Sequence, residues 1–434
     1  MNQPSDSLLP VASCLLPCAA HQIIAWDNLD PDWQAKIKSI SNHNPPYFIS
    51  PDDQVILSEV IEYANKHQYS ILTCGQGSKL NWGGKLSKPV ELVVSTQKLN
   101  RIVEHALEDL TVTVEAGVKL VDLQQILQQA KQFLPLDPSY PETATIGGII
   151  ATADSGSWRQ RYGGVRDLLL GISFVRADGK IASAGGRVVK NVAGYDLMKL
   201  FTGSYGTLGI ISQATFRVYP IPEASLTIIL TGELNHLNQA RQIIINSGLT
   251  PTAIDFISAT VVKALDISSH PGLILRWQTI PESINQQVQQ IETIAKELNL
   301  SSLTYQDEPE KNLWQRLTKI KESPNLITCK IGLMPNKVGE FLQEYAQLTN
   351  NQSLAIIHAR SGLGTIAFSQ WQPEIRRICE NKQGFLTILT APNTLKENTD
   401  IWGYTGNGLT IMEKLKTQFD PNYILNPGRF LGNI

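Results

Sequence analysis

The run from Ala144 to Pro222 constrains this chain more than any other stretch. Glycine recurs through it, at Gly147, Gly148, Gly156, Gly163, Gly164, Gly185, Gly186, Gly194, Gly203, Gly206 and Gly209. Glycine weakens helices and strands, so such density points to turns with positive φ or to close approach of the main chain to a ligand. Between the glycines lie β-rich runs, Leu168–Val175, Ile181–Ser183 and Leu208–Val218, which rules out a low-complexity linker. Basic residues outnumber acidic ones locally, while the whole chain carries a formal charge of only -2. A folded, glycine-punctuated, locally basic segment reads as a pocket for a large anionic ligand, with a dinucleotide as the natural candidate.

A second glycine loop, Cys74-Gly75-Gln76-Gly77-Ser78-Lys79-Leu80-Asn81-Trp82-Gly83, follows a short strand pattern. Successive backbone N–H groups in such a loop can nest phosphate oxygens. Two familiar nucleotide patterns fail here. The Rossmann fingerprint needs glycine where Leu80 stands, and the Walker pattern needs Ser or Thr where Leu86 follows Gly84-Lys85.

At 434 residues the chain calls for two or three domains, and 42% hydrophobic with 18% charged residues describes a globular protein. The near-neutral balance argues against nucleic acid as a partner. Only Cys14, Cys18, Cys74, Cys329 and Cys379 are present, without the spacing of a zinc or iron–sulfur site. The apolar N-terminal patch lacks a basic flank and is broken by prolines, and no run approaches about 18 uninterrupted apolar residues. A cytoplasmic location without a transmembrane segment is the expectation. Residues 1–43 read as a loosely packed lead-in with a helix through Asp32–Ile40. Thr145-Ile146-Gly147-Gly148 reads as a glycine turn. After Pro222 the glycines thin out, and residues 224–390 alternate strand-like and helix-like runs in two β-α-β-like groups. That rhythm predicts an antiparallel sheet with helices on one face, in the ferredoxin-like style.

The order of these motifs is specific. CGQGSKLNWGG, DPSYPETATIGG, RYGGVRD, GGRVVKNVAGYDLMKLFTGSYGTLGII and the tail FDPNYILNPGR together resemble the vanillyl-alcohol-oxidase/PCMH superfamily of FAD-dependent oxidoreductases. Within it, the chain is similar to the FAD-binding subunit of bacterial glycolate oxidase (glycolate dehydrogenase). The resemblance implies an α+β fold: a PCMH-type FAD-binding domain of two α+β subdomains over 44–222 and a ferredoxin-like antiparallel-sheet cap over 223–400. Residues 401–434 would return to the FAD domain. It implies that Gly75, Gln76, Gly77, Ser78 and Lys79 cradle the FAD diphosphate. Asp137, Thr145, Ile146, Gly147, Gly148, Ala151 and Gly156 would line the diphosphate and approach the ring. Gly206, Thr207, Gly209, Ile210 and Ile211 would hold the adenosine end or the ring edge. The implied activity is oxidation of glycolate, a small 2-hydroxy acid, to glyoxylate. The implied partners are a larger flavin subunit and an iron–sulfur subunit, with peripheral membrane association through the complex.

Two departures from the pattern matter. The first glycine loop carries no His, so FAD is expected to bind noncovalently. Catalytic members carry a H-x-G-D-G-N motif that helps form a metal site, whereas this chain has only Gly403-Tyr404-Thr405-Gly406-Asn407-Gly408, and no metal site is expected. His21, His43, His67, His105, His236, His270 and His358 read as isolated, so no catalytic base is evident. Arg159, Arg161 and Arg166 are candidates to pair with a carboxylate or a diphosphate. An electron-relay or structural subunit beside a catalytic sister flavin subunit, or a stand-alone flavin oxidase, stay open as alternatives.

Overall fold

An acidic cap and an apolar stripe start the first helix of the FAD-binding half. Asp53 accepts from the Ile56 amide at 2.8 Å, and Gln54–Lys66 buries Leu57, Val60, Ile61 and Ala64. The computed structural model describes residues 23–41, 43–186, 195–322 and 325–434. Cys14, Cys18, His21 and the Lys190–Gly194 part of the tyrosine-containing motif lie outside the described residues.

Four short strands, β1 (Ile23–Ala25), β2 (Tyr47–Ile49), β3 (Ile71–Cys74) and β4 (Leu92–Ser95), form one sheet in the order β1-β2-β4-β3. The lead-in is therefore built in over its described part, with β1 on the sheet edge. Its helix Pro31–Lys38, capped by Asp30, buries Ile37 against Phe48, Leu72 and Val93. Apolar side chains at Leu29, Ile37 and Ile40 outweigh the loop-like composition of this stretch.

Seven strands follow in chain order: β5 (Ile102–Ala106), β6 (Thr111–Glu115), β7 (Gln132–Phe133), β8 (Leu169–Val175), β9 (Ile181–Gly185), β10 (Ile210–Arg217) and β11 (Tyr219–Pro220). Five of them make an antiparallel sheet, β5-β6-β10-β8-β9, while β7 pairs with β11. The helices Leu120–Gln129 and Ile146–Thr152 close its core, through Leu123, Leu127, Ile149 and Ile150. Thr145-Ile146-Gly147-Gly148 is thus not a free turn but the capped start of a helix: the Thr145 hydroxyl accepts from the Gly148 amide at 3.3 Å. Apolar Ile146, Ile149 and Ile150 at helical spacing outweigh the two glycines.

The cap is one eight-stranded antiparallel sheet of β12 (Ala224–Thr231), β13 (Ala253–Ile257), β14 (Gly272–Thr279), β15 (Ser301–Gln306), β16 (Ile327–Gly332), β17 (Leu354–His358), β18 (Leu363–Phe368) and β19 (Phe385–Thr390). Its order, β15-β12-β14-β13-β17-β18-β16-β19, is two ferredoxin-like units side by side. Each places its fourth strand beside its first and its third beside its second, and the two fuse where β13 pairs β17. Helices Leu234–Asn246, Pro281–Glu297, Val338–Leu348 and Pro373–Asn381 cover one face. The expectation of helices on one face alone is corrected: Ala259–Ala264 and Asp307–Lys321 pack on the other. The reason is period two. Leu226, Ile228 and Leu230 point into the first layer, while Ile229, Ile257 and Ile274 point the opposite way and need Val261, Leu313 and Leu317 as cover. The rest of that second face is turned to the FAD-binding half.

Candidate active site

The cleft between the two subdomains is rich in glycine. It is concave and partly open to solvent, the form expected of a ligand cleft. One wall is the loop leaving β3, from Gly75 to Leu80; the other is the helix start Thr145, Gly147, Gly148, Ala151, and the turn Tyr205, Gly206, Gly209 entering β10 at Ile210 and Ile211. The walls touch so closely that a Cβ on Gly75 would lie 2.1 Å from the Thr145 hydroxyl oxygen. Gly206 adopts φ +71, and a Cβ there would meet Asn426 Nδ2 at 2.6 Å.

Thirteen of the predicted residues thus line this cleft: Gly75, Gln76, Gly77, Ser78, Lys79, Thr145, Gly147, Gly148, Ala151, Gly206, Gly209, Ile210 and Ile211. The other four do not. Ile146 is packed in the core, and Thr207 Oγ1 donates to the Ser204 carbonyl at 2.8 Å. Asp137 and Gly156 hold each other, the carboxylate accepting from the Gly156 amide at 3.0 Å and the Trp158 amide at 3.1 Å. Burial raises the Asp137 carboxyl above its ordinary value.

The tail builds this cleft too. Asn426 Oδ1 accepts from the Thr73 amide at 2.7 Å, and its Nδ2 donates to the Tyr205 carbonyl at 2.6 Å, so one side chain ties both walls. Arg429, buried, donates to the carbonyls of Leu80, Trp82 and Gly84, each at 2.5 Å, and fixes the glycine loop from below. Burial brings its guanidinium down to about 10. Lys416 anchors the tail itself, with Nζ bonded to Asp420 at 2.6 Å and to the carbonyls of Thr207 at 2.8 Å and Leu425 at 2.9 Å. Thr73, Thr152, Tyr205, Asn426 and Arg429 line the cleft without having been singled out. Asn426 and Arg429 belong to the Asn-Pro-Gly-Arg tail, whose expected return to this half the structure shows; Thr73 and Thr152 carry no signal of their own.

A second cavity adjoins the first, and Thr152 and Tyr205 border both. Side chains make this one. Asp154, Ser155 and Arg159 come from the FAD-binding half; Lys321, Glu322, Thr328, Lys330, His358 and Thr365 come from the cap. Lys79 of the glycine loop reaches Asp154 at 2.6 Å, and that ion pair stands between the cavities with Lys79 5.4 Å from the Trp82 ring. Burial lowers the Lys330 ammonium, against the pull of Asp154 and with the push of Arg159. Burial raises Glu322, whose carboxylate accepts from the Tyr140 amide at 2.5 Å. Of the three candidate arginines only Arg159 enters the cavity. Arg161 lies 5.8 Å from the Tyr162 ring, and Arg166 is exposed beside Asp167.

His358 is not isolated. Its Nδ1 lies 2.7 Å from Asp255 Oδ1, across β13 and β17. Gly403–Gly408, by contrast, forms an exposed turn in which the Gly408 amide donates to the Tyr404 hydroxyl at 2.9 Å. Among the described residues no group of three or more His, Cys, Asp or Glu is placed to hold a metal ion, and no helix is long and apolar enough to cross a membrane.

Comparison with known proteins places this geometry. Residues 45–185 match the FAD binding domain family, and residues 402–430 match the C-terminal domain of FAD linked oxidases. A probable mitochondrial D-lactate dehydrogenase of Danio rerio is 30% identical over 91% of this chain and 86% of that protein. The chain belongs to the FAD-linked oxidases. Among these oxidases it is also similar to glycolate oxidase subunit GlcD of Bacillus subtilis, at 27% identity over 89% of this chain and 88% of that one. It is 37% identical to glycolate oxidase subunit GlcE of Escherichia coli over 40% of this chain and 49% of that one. In fold it is similar to p-cresol methylhydroxylase, with a TM-score of 0.77 at 14% identity, covering 98% of this chain and 97% of that one. This is an FAD-dependent oxidoreductase with PCMH-type architecture. The cleft fits FAD: Gly75, Gly77, Gly147, Gly148, Gly206 and Gly209 line it, and a wall without side chains at those positions lets a diphosphate come close to the main chain.

Proposed function

We propose that this FAD-linked oxidase oxidises a small 2-hydroxy acid, glycolate in the first place, to the 2-oxo acid. In this reading the amides of Gly75 to Lys79, with the Ser78 hydroxyl, hold the FAD diphosphate. Thr145, Gly147, Gly148 and Ala151 line its path, and Gly206, Gly209, Ile210 and Ile211 close the other side. Asp137, Ile146, Gly156 and Thr207 support that wall from behind. The loop offers no His for a covalent link, so the cofactor is held noncovalently. FAD, when bound, supplies a two-electron acceptor for the substrate carbon.

The observation that carries the reading is the junction at Thr152 and Tyr205, where a backbone-lined cleft opens on a cavity rich in cations. Arg159 and Lys330 face that cavity from opposite halves and match a carboxylate. They would dock the acid group and hold the 2-carbon toward the cleft. The Lys79–Asp154 pair keeps the wall between the sites dry and fixed. The likenesses to subunits of glycolate oxidase support a complex with a larger flavin subunit and an iron–sulfur subunit that takes the electrons onward.

The test is anaerobic bleaching of the yellow, FAD-loaded chain by glycolate, D-lactate and D-2-hydroxyglutarate. Bleaching by one of them supports catalysis by this chain. The bare turn at Gly403–Gly408 favours a second reading, an electron-relay subunit beside a catalytic sister flavin subunit. Loaded protein that no 2-hydroxy acid bleaches, co-purifying with such a sister, would establish the relay instead.

A further inference from the structure

The face of the cap sheet turned toward the FAD-binding half carries an acid where a strand should be apolar. Asp255 sits in Ala-Ile-Asp-Phe-Ile and is fully buried. A buried carboxylate is costly unless both oxygens are engaged. Here they are: Oδ1 faces His358 Nδ1 at 2.7 Å, and Oδ2 accepts from the Ser157 hydroxyl, which is itself buried and comes from the FAD-binding half. The register explains the meeting. Asp255 and His358 are direct cross-strand partners on β13 and β17, so both side chains emerge on the same face.

We propose that His358 is the base that accepts the hydroxyl proton of the 2-hydroxy acid, with Asp255 and Ser157 as positioning residues; this rests on the substrate reading above. His358 borders the second cavity. With Nδ1 committed to Asp255, the ring is held as the Nδ1–H tautomer, and the lone pair on Nε2 is left to the cavity. Nε2 has no hydrogen-bond partner among the described residues. Burial pushes the Asp255 carboxyl up, but attraction to the imidazole once it is protonated, the His358 hydrogen bond and the Ser157 hydroxyl more than offset this and hold it below the usual range. An ionised Asp255 is the state that fixes this tautomer. Other charges around the imidazole are Asp137, which flanks Ser157, and Lys321 at the end of its helix, with Arg159, Lys330, Asp154 and Glu322 on the same cavity.

The step balances. The O–H bond breaks and its proton goes to Nε2, the oxygen pair becomes the new C=O π bond, and the C2–H pair leaves as hydride to the two-electron flavin acceptor. The imidazolium then returns its proton to solvent through the cavity mouth.

The experiment uses the full FAD-loaded chain and follows anaerobic flavin reduction against pH for the parent, His358→Gln and Asp255→Asn, with FAD occupancy as the check on folding. General-base loss predicts reduction at least about 100-fold slower in His358→Gln, with parental occupancy and without the parent's acid-side fall in rate. Asp255→Asn should move that fall and change the imidazole signals. Nitrogen NMR of the parent gives a second readout independent of turnover: the His358 ring should be the Nδ1–H tautomer, with Nε2 unprotonated. Parental rates and pH profile in His358→Gln, or an unprotonated Nδ1 in the parent, overturn the base while leaving the substrate reading intact. A parent that no 2-hydroxy acid reduces overturns both.

Discussion

The two adjoining cavities differ in what they are made of. The first is rich in glycine: Gly75, Gly77, Gly147, Gly148, Gly206 and Gly209 bare the main chain along it, and of its other residues only Lys79 and Arg429 are charged. The second is charge: Asp154, Arg159, Lys321, Glu322, Lys330 and His358 come from five places in the sequence and meet only because a sheet face is laid against a helix end. A site built from main chain leaves its mark where the main chain must be bare. One built from side chains needs only single residues at the right register, each unremarkable in its own strand. On the function proposed here the duties separate: the first cavity would take the large common cofactor, the second the small charged acid.

The joint between them gives the largest expected effect. Lys396, on the helix Asn393–Asn398, donates to the Asn81 carbonyl, to the Gly83 carbonyl at 3.3 Å and to the Leu389 carbonyl at 3.2 Å, clasping the glycine loop to the end of β19. Burial, with Arg429 and Lys85 adding to it, brings its ammonium down to about 7. An unfolded lysine titrates near 10.4, so between those values the unfolded chain holds the extra proton and stability rises with pH. The limit is about 1.4 kcal/mol per pH unit. From pH 7 to pH 9 the parent should gain up to about 2.5 kcal/mol relative to Lys396→Met, read from urea midpoints. Equal slopes in the two proteins would mean that the joint does not bury this amine.

The cleft can be closed without touching the cavity. Gly75→Ala puts a methyl group against the Thr145 hydroxyl, where 2.1 Å is available. Overpacking of this kind costs about 1–3 kcal/mol, so FAD should bind about 10- to 100-fold more weakly. Gly248→Ala is the control, since nothing lies within 4 Å of that Cβ. Flavin fluorescence titration separates them, and equal affinity in both variants would break the claim that bare backbone makes the first site.

Much of this was legible in the sequence, for physical reasons. Strand boundaries at Leu92–Ser95, Thr111–Glu115 and Ala253–Ile257 follow from apolar and β-branched runs between turn residues. The cofactor cleft was legible because glycines at fixed order have few other uses. The turn that proved to be a helix start at Thr145 was misread because local propensity lost to burial of Ile146, Ile149 and Ile150. The second cavity was not legible, although one signal stood in plain sight: Asp255 in Ala-Ile-Asp-Phe-Ile is an acid in a strand otherwise wholly apolar. Its partner lies 103 residues away, and only the fusion of two ferredoxin-like units at β13 and β17 brings them together. Lys416 and Asp420 teach the same in the tail, where a charged pair four residues apart is fully buried.

The smallest effect is the most selective. Lys330 emerges from β16 between Cys329 and Ile331, which point into the opposite core, so its direction is fixed by period two. Lys330→Met keeps the length and apolar stem and removes only the charge. A charge-assisted bond contributes about 1.5–3 kcal/mol, but Arg159 faces the same space and should retain part of the carboxylate's stabilisation. The expected loss is therefore near the low end, about 10-fold in kcat/KM for the 2-hydroxy acid, and carried mainly by KM. FAD affinity should not move, because Lys330 borders the second cavity and not the first. If FAD affinity falls along with substrate affinity, the two cavities act as one site, and the division between backbone and side-chain recognition is wrong.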